Sequence, residues 1–139
     1  MNFFEGRLVK QDGKLFFDEG SGTISVPEWA RDQLEPRTGS EVVLGVRPEA
    51  MADRASARFT TADSQLAMQV SLVQPLGDKM DIYLGTPRHP HSIAHVDAHA
   101  GVAVGETLPI FIDTSRVHFF AAGEPGERIA KNHGPAARA

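Results

Sequence analysis

"EVVLGVRPEAM", residues Glu41 to Met51, is the stretch on which the fold turns. Val42, Leu44 and Val46 fall on alternate positions, the period of two that lines up one apolar row on one face of a half-buried strand. The strand ends at Gly45-Val46 and passes into Arg47-Pro48-Glu49, where Pro48 drives the residue before it into extended backbone. The Pro48-Glu49 step then suits a tight turn or a single helical turn.

The same period recurs on both sides. Leu66, Met68, Val70 and Leu72 form one row, Met80, Ile82 and Leu84 a second, and Leu108, Ile110 and Ile112 a third. Phe3–Lys10, Leu15–Asp18, Thr23–Val26, Ser92–Asp97 and Val117–Ala121 read as less regular strands. Asp12-Gly13 is a type I′ hairpin signal between two of them, and Gly20-Ser21-Gly22, Gly77-Asp78 and Gly101 mark further reversals. Pro27–Leu34 is the one short helix the pattern predicts, with proline in its first turn and Pro36 ending it. Its Trp29 reads as a lid on a barrel mouth. From Ala50 to Ser64 the alternation fails, which predicts a long surface connection and a division between two sub-barrels near 50–64. Residues 1–122 are thus expected to hold the folded domain. The tail 123–139 has too little apolar content to offset its ordering and is expected to fray, from about Lys131 onward.

With 139 residues the chain fits one domain, or two small sub-barrels sharing a core. It contains no cysteine, which excludes disulfides, thiolate metal sites and thiol catalysis, and agrees with a cytoplasmic setting. Fourteen basic against 18 acidic residues give a net charge of −4, the wrong balance for a nucleic-acid binder that works through clustered Lys and Arg. No apolar run approaches the roughly 20 residues of a membrane-spanning helix, and "MNFFEGRLVK" lacks the apolar segment of a secretion signal.

Catalytic patterns are absent: there is no GxxxxGK[ST] phosphate loop, no GxGxxG after a strand, no GxSxG and no HExxH. His89, His91, His95 and His99 are the one dense group of metal-ligating side chains. Two of them flank Pro90 in a loop and His95 shares a strand face with Ile93 and Asp97, so the group need not converge, and ordinary solvated positions account for them better than a metal does. Asp81, Asp97 and Asp113 fall at strand ends or edges, where paired carboxylates do acid–base work, yet nothing in the sequence pairs them. Phe3, Phe4, Phe16, Phe17, Phe111, Phe119 and Phe120 have the composition of a stacking platform, but with a net negative charge and no interleaved Arg or Lys they read as barrel core.

The stretch from Glu41 to Met51 resembles the Gly-Ile/Val-Arg-Pro-Glu signature of the C-terminal domains of ATP-binding subunits of maltose, trehalose and glycerol-3-phosphate importers. Four further segments resemble that family in the same order: "MNFFEGRLV" (1–9), "VSLVQPLGDKMDIYL" (70–84), "VGETLPIFID" (104–113) and "SRVHFFAAGEPGERI" (115–129). The chain is identified on these grounds as a transport-associated OB (TOBE) domain of a sugar-importer-type ABC transporter subunit. The histidine-rich stretch from Arg88 to His99 departs from the family pattern.

The resemblance implies an all-β, OB-like barrel with a second packed strand group and one short helix. It implies a regulatory and dimerisation domain without catalysis of its own, with ATP and magnesium held only by a nucleotide-binding half. Implied partners are a second copy, that nucleotide-binding domain and a regulatory protein, with the membrane met only through transporter subunits. Arg47, Pro48, Glu49 and Gly77 are expected to organise the junction between barrel halves. The alternative is a small-ligand module in which Arg47 or Lys79 supplies charge for an oxyanion or sugar.

Overall fold

The computed structural model describes residues 1–57, 62–122 and 128–130. Eleven strands and one α-helix follow in order among them: β1 (Asn2–Gln11), β2 (Lys14–Asp18), β3 (Thr23–Ser25), α1 (Glu28–Leu34), β4 (Glu41–Val46), β5 (Met51–Ala52), β6 (Gln65–Leu76), β7 (Lys79–Gly85), β8 (Ser92–Asp97), β9 (Thr107–Ile112), β10 (His118–Ala121) and β11 (Arg128–Ala130). The expected all-β, OB-like architecture with one short helix is what forms.

The strands make two antiparallel sheets, one in the order β11-β10-β4-β1-β2-β3 and the other β5-β9-β6-β7-β8. The second sheet curls until its two edges, β5 and β8, pack against each other, which gives it a nearly closed, barrel-like form. One apolar core serves both sheets. Phe4, Leu8, Phe17 and Leu44 enter it from the first, and Leu66, Met68, Ile82, Leu84 and Ile110 from the second. Fully burying each such side chain contributes about 1.5–3 kcal/mol.

Local chemistry sets the registers. Asp12 and Gly13 both have positive φ, 52° and 78°, as the type I′ turn requires, and they close the β1–β2 hairpin at Gln11↔Lys14. Gly77, at φ 81°, takes the left-handed position in the two-residue loop between Leu76 and Lys79. Pro27 stands extended as the N-cap of α1, whose Ala30 and Leu34, one turn apart, face the core.

Two expectations are corrected. Leu72 leaves its predicted row: a bulge between Val70 and Leu72 flips the facing, so Leu72 is 52% exposed and Val73 turns inward opposite Ile82. The segment from Ala50 to Ser64 is not simply a surface connection, since Ala50, Met51, Asp53 and Ser64 are buried and β5 pairs with β9. Short as it is, Met51-Ala52 finds main-chain partners on β9, and Asp113 donates its amide to the Ala50 carbonyl beside it. Ahead of the stretch expected to fray from about Lys131, Arg128–Ala130 adds a strand to β10, with Ile129 against the core. Residues 58–61, 123–127 and 131–139 lie outside the described residues.

The chain passes from the first sheet to the second through Arg47–Ala50, where Pro48–Ala50 form one 3-10 turn. It returns through Asp113–Val117, where Thr114–Arg116 form another. The two crossings lie side by side.

Candidate functional site

The crossings are joined by Arg116. Its Nη2 donates to the Glu49 carbonyl at 2.9 Å and its Nε to Asp113 Oδ2 at 2.8 Å. Asp113 also accepts from the Ser115 amide and hydroxyl. Burial pushes the Asp113 carboxyl up, but the Ser115 hydroxyl, the Arg116 guanidinium and the Ser115 amide outweigh it and hold the group below its ordinary 3.8. Trp29 comes to the same crossing, its indole N–H donating to the Thr114 carbonyl at 3.0 Å while the ring tilts onto Phe119 at 6.0 Å.

Arg47 and Glu49 have exposed side chains, and among the described residues the Arg47 guanidinium makes no hydrogen bond or ion pair. Pro48 begins the turn at the crossing, so this stretch carries the junction through its backbone, and the guanidinium across it belongs to Arg116. Gly77 lies at the tip of the β6–β7 hairpin instead. Lys79 is ion-paired to Asp97 on the neighbouring strand.

A cleft of about 210 Å³ opens beside the crossings, where β8 approaches β5. Glu49, Ser56, Lys79, His95, Asp97, Asp113 and Arg116 give it polar walls, and Ala50, Ala52, Ala57, Val96 and Phe111 the rest. It therefore gathers Glu49, Lys79, His95, Asp97, Phe111 and Asp113 from the sequence reading, leaves out Arg47, and adds Arg116 and Ser56.

The four histidines do not converge. His89 Nδ1 meets Glu19, His95 Nδ1 lies 2.6 Å from Asp81 Oδ1, His99 Nε2 lies 2.9 Å from Asp53 Oδ2, and His91 is exposed. Among the described residues no three His, Cys, Asp or Glu side chains are grouped to hold a metal ion. The three aspartates are likewise separate: Asp81 faces His95, Asp97 faces Lys79 and Asp113 faces Arg116, so no carboxylate pair exists for acid–base work among them. Of the phenylalanines, Phe4, Phe17, Phe111 and Phe119 are core. Phe3 and Phe120 meet edge to face at 6.0 Å on the outer side of the first sheet, in the space that Gly45 leaves by having no Cβ.

Two buried polar groups tie the sheets together. Asn2, at the start of β1, holds the free edge of β8 in two-point fashion: its Nδ2 donates to the Ile93 carbonyl at 2.8 Å and its Oδ1 accepts from the Ile93 amide at 2.9 Å. Glu19, just after β2, is fully buried, and its carboxylate accepts from the Thr86 hydroxyl, His89 Nδ1 and the Ser21 amide. Burial pushes the Glu19 carboxyl up, but those three hydrogen bonds prevail and hold it below its ordinary 4.5. His89 Nε2 accepts from the Glu5 amide at 2.9 Å, which puts the ring proton on Nδ1, toward Glu19. The loop between β7 and β8 is thereby fastened to the first sheet at two points.

The family model of the MalK OB fold domain matches residues 1–51, and that of the TOBE domain matches residues 44–120. Both include the crossing at Arg47-Pro48-Glu49. The oligosaccharides import ATP-binding protein MsmX of Bacillus subtilis (strain 168) is 30% identical over 122 residues, 86% of this chain and 32% of the relative. The sn-glycerol-3-phosphate import ATP-binding protein UgpC 1 of Rhizobium johnstonii is 28% identical over 124 residues, 88% of this chain and 30% of the relative. The chain thus spans about a third of the length of these relatives. Among solved structures, the cytoplasmic molybdate-binding protein ModG shares the fold at a TM-score of 0.60 and 18% identity, over 86% of this chain and 95% of its own. No helix among the described residues is long and apolar enough to cross a membrane.

Proposed function

Given that this chain belongs to the TOBE domain family, we propose that it is the regulatory and dimerisation domain of the ATP-binding subunit of an ABC importer for sugars or glycerol phosphate-type solutes. The observation that carries the reading is the pair of family matches, which together run over residues 1–120 and include β1 to β9, most of β10 and both crossings. The domain acts by contact. Its partners are a second copy, the nucleotide-binding domain of its subunit and a regulatory protein; it reaches the membrane only through the transporter and works in the cytoplasm.

The arrangement of the core supports this role. Strands from residues 2–46 and from residues 51–112 share one set of buried side chains, and Asn2, Glu19 and Arg116 fasten one sheet to the other. A body locked in this way moves as a unit and transmits force between partners instead of absorbing it. The sequence carries no phosphate loop, so nucleotide chemistry is assigned to another part of the subunit.

Isothermal titration with magnesium and ATP, followed by phosphate release, tests the division of labour. No heat of binding and no phosphate are expected. Saturable ATP binding with hydrolysis would overturn the reading.

A further inference from the structure

We propose that the cleft between β8 and β5 is a binding site for a small, neutral, polyhydroxylated molecule. The site stands apart from self-association and holds whether or not the chain pairs with itself.

Charge selects the ligand class. The two basic side chains at the rim already face carboxylates, Lys79 with Asp97 and Arg116 with Asp113. An anion would have to compete with those carboxylates and would meet Glu49 as well; a cation would meet Lys79 and Arg116. A neutral ligand breaks neither pair. Each hydroxyl is one donor and two acceptors, so a polyol accepts from the cationic ends and donates to the anionic ones at once. Those ends are within reach, with side-chain exposures of 46% for Lys79, 81% for Asp97 and 52% for Arg116.

Ser56 supplies a second observation. Its Oγ is buried and has no hydrogen-bond partner among the described residues, and Ser56 lines this cleft. Buried hydroxyls without partners are uncommon in folded proteins and call for an explanation. A ligand hydroxyl is the partner the position lacks, while the half-buried Ala52 and Ala57 offer apolar surface for the carbon skeleton. At about 210 Å³ the cleft is of a size to take a small polyol.

The test is a titration of the ¹⁵N-labelled chain, followed by amide chemical shifts, with glycerol, myo-inositol and glucose, and separately with sulfate and choline. Saturable shifts confined to the amides around Ala52, Ser56, Lys79 and Asp97 are expected with at least one neutral polyol. Asp97→Asn, at an exposed position, should weaken that binding about tenfold or more, the effect of losing a hydrogen bond to a charged group. Ser56→Ala should weaken it as well while leaving the rest of the spectrum in place. Shifts that saturate only with sulfate or choline, that stay linear with all three polyols, or that are unchanged in Asp97→Asn would overturn the proposal.

Discussion

Replacing Glu19 by alanine removes the acceptor for three donors: the Thr86 hydroxyl, the His89 ring N–H and the Ser21 amide. Ser21 sits in a turn at the surface, and water can replace the carboxylate there. Thr86 is 3% exposed and the His89 side chain 14%, so their donors are left dry. A buried donor without a partner costs about 1–3 kcal/mol, and relief of the buried carboxylate's own desolvation offsets part of the sum. The expected loss is therefore about 3 kcal/mol, a large share of the roughly 5–15 kcal/mol that holds a domain of this size. At this chain length it corresponds to a fall in Tm of about 10 °C. Urea denaturation at pH 7, followed by far-ultraviolet circular dichroism, measures it directly. Glu19→Gln keeps one acceptor but aims an amide at donors, and should fall between the parent and the alanine variant. A Glu19→Ala chain within ~0.5 kcal/mol of the parent, the range of an ordinary surface change, would refute the reasoning.

Acid should act through the same group. Because the Glu19 carboxyl is held below its ordinary 4.5 in the folded chain, its contribution is complete above that pH and is lost as pH falls through the folded value. Urea midpoints taken stepwise from pH 6 to pH 3 should thus drop less steeply in Glu19→Ala than in the parent; Asp113, held below 3.8, adds its own loss in both as pH falls through its folded value. Arg116→Ala should cost about 1 kcal/mol, discounted for its half-exposed side chain, whereas Arg47→Ala should stay within ~0.5 kcal/mol, and paired thermal melts separate them. Gly85→Ala puts a methyl group 2.4 Å from the His89 carbonyl oxygen and the Pro90 backbone; the expected loss is about 2 kcal/mol or more, read as a lowered Tm.

The fold was legible where local chemistry and global need coincide. Asp12-Gly13 permits almost one turn type, and the row Val42, Leu44 and Val46 is buried as its alternation requires. Leu72 misleads because a bulge reverses facing without any mark in the hydrophobic pattern. Met51-Ala52 is too short to show a period, and only its pairing with β9 makes it a strand. The site was legible in its crossing, where a proline fixes the backbone, and hidden in its fastenings. Glu19 reaches Thr86 across 67 residues, Asn2 reaches Ile93 across 91, and Arg116 reaches Glu49 across 67. A polar residue announces such a partner in no local spacing. The histidines gave a visible cluster that does not assemble, because closeness in sequence along β8 and its flanking loops distributes the rings to three separate carboxylates.

The central claim, that this domain works by contact with a second copy, is tested most directly by sedimentation equilibrium of the purified chain over a wide concentration series at physiological ionic strength. The account predicts a reversible monomer–dimer equilibrium, with the weight-average mass rising from about one toward two times 15.0 kDa. A mass that stays at 15.0 kDa up to the highest soluble concentration would contradict it.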